Sequence, residues 1–345
     1  MTDKTRKPTI NDVADKAGVS KSLVSLVMRN ANSVSDHRRA AVLAAAEELG
    51  YRPNAIARSL VNQKTYVVGV TVSDFRNPFF TDVVEGITKV AKANGYQTLI
   101  NTGDRTAHGE TDAIDTFLQM RTDGIILVGT VVDDETIDRI GAVSPLVSAS
   151  HASRSPEIDS VVTDDVKGAR LAVQHLVALG HRDIAHITGG RGAGANGRVR
   201  GFRAAMEAEG LSESARVVDG EYTESGGMSG VAELFGSGTK PTAVFAANDQ
   251  AAMGVLRGLT ARGIAVPDDV SVIGYDDTDL AAFEHINLTS VHQQRVLMGA
   301  TAMELMLERV AGSRQSARHV TLEPRLTVRG STGRGPSSQR VISRR

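Results

Sequence analysis

The chain has 345 residues, 41% of them hydrophobic, which is enough for about two ordinary domains and a small third unit. With no cysteine it can build no disulfide, no thiolate metal site and no thiol nucleophile, in keeping with a reducing compartment. Its formal net charge of −1 conceals an asymmetry: residues 1–64 carry +5, residues 65–330 carry −10 and residues 331–345 carry +4, so only a small basic head suits a polyanion.

The opening stretch, MTDKTRKPTINDVADKAG, lacks the apolar core of a secretory leader, and no apolar run nears the eighteen or so residues of a membrane span. A soluble, cytoplasmic chain with no membrane partner is expected. In the head, Thr9 is placed to cap a helix whose N3 residue, Asp12, reaches back to it, and Ile10, Val13, Ala14 and Ala17 share one face. Gly18 permits a tight turn. Ser20 caps a second helix in which Val24 and Val27 face inward while Lys21, Ser22, Ser25 and Leu26 face outward. Ser35 caps a third, Asp36 to Leu49, whose Val42, Leu43, Ala46 and Leu49 close the core before Gly50 stops it. Two short helices around such a turn form a helix-turn-helix, whose second helix can enter the major groove of DNA.

From Tyr66 the pattern alternates. Apolar strands at YVVGVTVSD, YQTLINTG, GIILVGT and PLVSAS are separated by helices, and the series restarts after residue 160 with DSVVTDD, IAHITG, ARVVDG, AVFAAND and VSVIGYDD. Strands joined by helical crossovers of about a dozen residues imply a parallel sheet, here in two similar halves. The predicted fold is an all-α helix-turn-helix head followed by an α/β body of two doubly wound parallel-sheet subdomains. The divisions are head 1–50, a hinge helix 51–64, a two-lobed body 65–330 and a disordered basic tail 331–345.

One loop points elsewhere. GRGAGANGR follows the strand IAHI and precedes a helix, and it holds Gly192-x-Gly194-x-x-Gly197, the spacing of a dinucleotide-binding fingerprint. An NAD(P)-binding oxidoreductase is therefore the alternative reading. Against it, glycines in a strand-to-helix loop serve any ligand that needs the backbone close. The chain has no HExxH, no Ser-His-Asp order and no clustered metal ligands, so no catalytic residue, metal or cofactor is assigned.

The stretch TINDVADKAGVSKSLVSLVMRN followed by ELGYRPNAIARSL resembles the DNA-binding head of the LacI/GalR repressors, and NPFF, LGHRDIAHITG, NGRVRGF, FAANDQAAMG and VPDDVSVIGYDD resemble the effector domain of the same family, which is similar to periplasmic binding proteins. The resemblance runs from about Thr9 to Arg329. It implies a transcriptional repressor that binds a palindromic double-stranded operator as a homodimer and responds to a small sugar-like effector. Base reading falls to Lys21, Ser22, Ser25 and Leu26, and backbone contacts to Thr9, Ser20, Asn30, Tyr51 and Arg58. Asn54 and Ala57 belong to a hinge that folds on DNA, and Leu60 matches a leucine wedged between base pairs from the minor groove.

The same likeness assigns the effector cleft to Asn77, Phe79, Phe80, Ser150, Arg198, Tyr222, Asn248, Asp276 and Gln293. Taken singly, Asn248 and Asp276 read equally well as helix caps, and Phe79 and Phe80 as core. Two departures stand out. Leu26 occupies a position where the family commonly has a polar or basic residue, and Ser150-His151 replaces a frequent Asp-Arg pair, which removes a carboxylate from the cleft.

Overall fold

The computed structural model describes residues 8–28, 33–52, 64–153, 155–236, 238, 240–314 and 316–336. The chain divides into two compact units after Thr65.

The first unit contains three helices, α1 (Ile10–Ala17), α2 (Lys21–Met28) and α3 (Asp36–Leu49). At the start of α1 the Thr9 hydroxyl accepts from the Asp12 amide while the Asp12 carboxylate accepts from the Thr9 amide at 2.6 Å, a reciprocal cap worth about 1 kcal/mol. Gly18 and Gly50 end α1 and α3 at φ +61° and +62°, a conformation that penalises any residue with a Cβ. Val13, Ala14, Val24, Val27, Val34, Val42, Ala45 and Ala46 form the buried core. Three expectations are corrected here. Leu43 is 48% exposed, while Ala45, two residues on and on the opposite side of the helix, is buried in the core. Ser35 stands at the N-cap of α3 but its side chain makes no capping bond. Leu26, expected to face outward, is half-buried against the core.

The second unit opens with β1 (Val67–Val72), α4 (Pro78–Ala93), β2 (Gln97–Thr102), α5 (Ala107–Gln119), β3 (Gly124–Val128), α6 (Asp134–Gly141), β4 (Leu146–Ala149) and β5 (Asp159–Thr163). It continues with α7 (Asp165–Ala178), β6 (Ile184–Ile187), α8 (Ala195–Ala208), β7 (Ala215–Val218), α9 (Glu224–Gly236), β8 (Ala243–Ala246), α10 (Asp249–Thr260), β9 (Ser271–Asp276), α11 (Asp279–Ala282) and β10 (Thr289–His292). The remaining elements are α12 (Arg295–Val310), β11 (His319–Leu322) and β12 (Arg325–Thr327). Each lobe has a six-stranded sheet, ordered β11-β5-β4-β3-β1-β2 in lobe one and β12-β10-β9-β8-β6-β7 in lobe two. Central strands such as β3 and β8 are buried along their whole length, as expected for a sheet covered by helices on both faces.

The chain passes between the lobes at 163–165, 292–295 and 322–325, among the described residues. This threading overturns one reading from sequence. DSVVTDD does not begin the second half, because β5 pairs in parallel with β4 and completes the first sheet. Both sheets are mostly parallel, as expected, with β12 returning antiparallel to β10 at one edge. The stretch from 331, expected to be disordered, is fastened to lobe two as far as Gly335. The Ser331 hydroxyl donates to the Val272 carbonyl at 2.6 Å and accepts from the Thr289 amide, His181 Nε2 donates to the Gly333 carbonyl, and the Gly335 amide donates to Leu179. Composition cannot reveal such partners, because they come from strands and helices some 40 to 160 residues away. Among the described residues no helix is long and apolar enough to cross a membrane.

Candidate functional site

On the head, Lys21 and Ser22 are exposed at the start of α2, while Ser25 and Leu26, one turn on, are half-buried. Thr9 and Ser20 both serve as caps, Ser20 Oγ accepting from the Leu23 amide at 3.3 Å. Tyr51 packs on the head core just beyond α3, its amide donating to the Ala46 carbonyl at 2.8 Å, and burial raises the pKa of its phenol. Asn30, Asn54, Ala57, Arg58 and Leu60, with most of the hinge, lie outside the described residues.

In the second unit, loops at the carboxyl ends of the strands in both lobes enclose a cavity of about 790 Å³. All nine cleft positions named from sequence line it. Asn77 caps α4, its Oδ1 accepting from the Phe79 amide at 3.0 Å, and this leaves its Nδ2 for the cavity. Asn248 does the same for α10, accepting from Ala251 at 2.8 Å. Both are thus caps and cleft residues at once. Phe79 is buried in the lobe-one core and Phe80 is half-buried, the rings meeting edge to face at 5.2 Å.

Arg198 projects from the first turn of α8 and is only 4% exposed. Its Nε donates to Asp165 Oδ1 at 2.9 Å, its Nη1 to the Ala247 carbonyl, and its guanidinium lies 3.7 Å above the Tyr275 ring centroid. Burial opposes its charge, but the fields of Tyr222, Asp165, Tyr275 and Asp276 more than offset this, and its pKa is raised. Asp276 ends β9 in the left-handed region at φ +106° and is 3% exposed. Its Oδ1 accepts from Gln293 Nε2 at 2.6 Å, and the other end of that amide accepts from Thr163 Oγ1 at 2.6 Å. Burial raises the pKa of Asp276, with the neighbouring Asp249 adding to the shift, while Arg198, Gln293 and Arg295 oppose it. Asp249 is likewise raised by burial although Ser290 and Thr278 donate to it. Ser150 bends the chain after β4 at φ +66°.

Sequence reasoning missed several lining residues: Ser73 and Asp74 after β1, Arg105 and Ala107 after β2, Gly129 and Val131 after β3, Arg191 after β6, and Asp219 and Glu221 after β7. The signal was present, because every one follows a strand's carboxyl end.

The geometry also settles what the glycine loop does locally. A Cβ on Gly189 or Gly192 would stand 2.3 or 2.4 Å from the Tyr222 ring, and one on Gly194 would meet the Asp165 carboxylate at 2.5 Å. Tyr222 is held there by its hydroxyl donating to the Ala193 carbonyl at 2.8 Å. The closely approaching groups that these glycines admit are therefore the chain's own aromatic ring and the Asp165 carboxylate, which is already paired with Arg198. No group of three or more metal-ligating side chains occurs among the described residues.

Comparison with known proteins matches residues 9–54 to the bacterial regulatory proteins of the lacI family and residues 173–332 to a periplasmic binding protein-like domain. Catabolite control protein A of Priestia megaterium is 34% identical over 94% of this chain and 99% of its own length. The ribose operon repressor of Escherichia coli K12 is also 34% identical, over 94% and 99%. A crystal structure of the lac repressor dimer bound to operator and the anti-inducer ONPF superposes with a TM-score of 0.85 at 30% identity, covering 95% of this chain and all of that one.

Proposed function

Because the chain belongs to the lacI family of bacterial regulatory proteins, which are regulators rather than enzymes, we propose that it is a cytoplasmic transcriptional repressor whose paired heads hold a palindromic operator and whose cleft takes a sugar-like effector. The observation that carries this reading is the cavity between the lobes, where buried amide, guanidinium and carboxylate groups converge beside aromatic faces. Such a mixture suits hydroxyl groups on one side of a ring and C–H surface on the other. Lys21 and Ser22 at the exposed start of α2 are the base-reading pair, and Leu60 is the minor-groove wedge. Homodimerisation through lobe one is supported by Val296 and Leu297, 40% and 46% exposed on α12 beside α4. Effector binding then shifts the lobes' equilibrium and with it the spacing of the heads.

The test is a selection of genomic fragments on the full chain at moderate salt, with and without a panel of sugars. A symmetric site retained above random duplex, and altered in affinity by one sugar, is the expected result. Failure to prefer any symmetric site refutes the repressor, and tight binding of a nicotinamide dinucleotide in its place would restore the oxidoreductase alternative.

A further inference from the structure

Resting on the sugar reading above, we propose that the cleft is built for a saccharide of two rings, not for a monosaccharide. The first observation is size. The lobes already touch at the mouth: Arg105 Nη2 donates to Glu221 Oε2 at 3.1 Å, and Gln250 Nε2 donates to the Arg76 carbonyl at 2.9 Å, each bond joining one lobe to the other. The volume of about 790 Å³ is therefore that of a cleft whose walls meet at these two bonds while part of its mouth still opens to solvent. A monosaccharide, with about a dozen non-hydrogen atoms, is at the small end of what cavities of roughly 300 to 1,000 Å³ enclose.

The second observation is that polar groups fall into two sets at different depths. The inner set is buried: Asn77, Arg198, Asn248 and Asp276. Each has part of its bonding capacity taken up by the protein and keeps one edge for a ligand, namely Nδ2 of each Asn, Nη2 of Arg198 and Oδ2 of Asp276. Three donors and a carboxylate oxygen complement the hydroxyls of a single ring. The outer set is Arg191, beyond β6, and Asp219, beyond the adjacent parallel strand β7, both exposed and both lining the same cavity. Asp74, itself buried, pairs with Arg76, and Arg105 with Glu221, yet neither the Arg191 nor the Asp219 side chain has an ion-pair or hydrogen-bond partner among the described residues. At intermediate burial lie Phe80, Val131 and Tyr222, carbon surface over which a glycosidic linkage and two C–H faces can pass.

The experiment is titration calorimetry on the full chain with glucose, galactose and ribose, and with cellobiose, maltose, trehalose and lactose. At least one disaccharide is expected to bind about tenfold tighter than any of its component monosaccharides, with Arg191→Ala and Asp219→Ala each narrowing that ratio severalfold. A monosaccharide that binds while every disaccharide is excluded overturns the two-ring proposal and leaves the sugar reading standing. No heat from any saccharide, with the chain shown folded by its thermal melt, overturns both. A disaccharide advantage that neither variant reduces overturns the outer set.

Discussion

Replacing Arg198 with Ala tests whether one side chain both builds the cleft floor and binds there. The substitution removes the Nε bond to Asp165, the Nη1 bond to the Ala247 carbonyl and the stack on Tyr275, and it leaves the Asp165 carboxylate, whose side chain is only 15% exposed, without its cation. Breaking a buried ion pair from one side costs about 3–5 kcal/mol, because the abandoned charge stays desolvated. For a unit of this size that lowers the melting temperature by roughly 10 °C. Removing both partners in Arg198→Ala/Asp165→Ala should recover much of the loss, giving a coupling of about 2 kcal/mol in a double-mutant cycle measured by urea unfolding. The same variant should show no thermal shift with a sugar that stabilises the parent, while operator binding by the head, a separate compact unit, persists. A sugar response that survives, or a coupling near zero, refutes the assignment.

Gly192→Ala drives a Cβ into the Tyr222 ring; stability should fall by about 1–3 kcal/mol and sugar affinity with it, whereas an unchanged melt would show that the ring does not pack there. Asp276 has its folded pKa raised by burial, so its contribution is present below the unfolded value of about 3.9 and is lost as pH climbs toward the folded one; Asp276→Asn should flatten that decline in melts between pH 4.5 and 8 while weakening sugar binding. Asp159 shows the opposite sign. Although burial opposes it, bonds from Arg314, Arg309 and the Arg318 amide hold its pKa low, so its stabilisation is present above about 3.9 and lost on acidification; Asp159→Ala should cost about 3–5 kcal/mol at neutral pH and blunt the acid transition. Leu60→Ala should weaken specific operator binding more than nonspecific binding, and equal losses in gel shifts would exclude the wedge.

Much of this was legible because the relevant physics is local. The Thr9–Asp12 cap, Gly18 and Gly50 need only residues three or four apart, and the helix–strand alternation needs only hydrophobic period. Lobe membership is not local. β5 joins lobe one through pairing with β4, and nothing in DSVVT states that preference. The hold on residues 331–335 depends on Thr289, Val272 and His181, and the burial of Leu26 on a core assembled from three helices. The cleft was legible as a set of strand ends; of its missing members Arg191 lies within the glycine loop GRGAGANGR, where the glycines drew the reading, while Asp219 at the end of ARVVDG carries no motif because an exposed charge at a mouth can be served by many sequences.

The cleft floor and the lobe crossings are one hydrogen-bonded construction, and this is how a small ligand gains leverage. Asp276 holds Gln293, which stands in the second crossing, and Gln293 holds Thr163 at the first. Gln294, its neighbour, donates to the Glu323 carbonyl in the third, where the Glu323 carboxylate takes Lys167 of α7. Arg295 then ties Asp82 of α4 to the backbone of Asp277 in lobe two. A hydroxyl that draws Asp276 toward itself therefore competes with bonds that set the angle between lobes, and does not merely fill space beside them. Exchanging one or two such bonds, at about 1–1.5 kcal/mol each, already spans the 1–3 kcal/mol that useful coupling between two sites requires. The polar residues of the floor are accordingly those whose replacement should change affinity and switching together, whereas Phe79 and Phe80, packed on lobe one alone, should change affinity only.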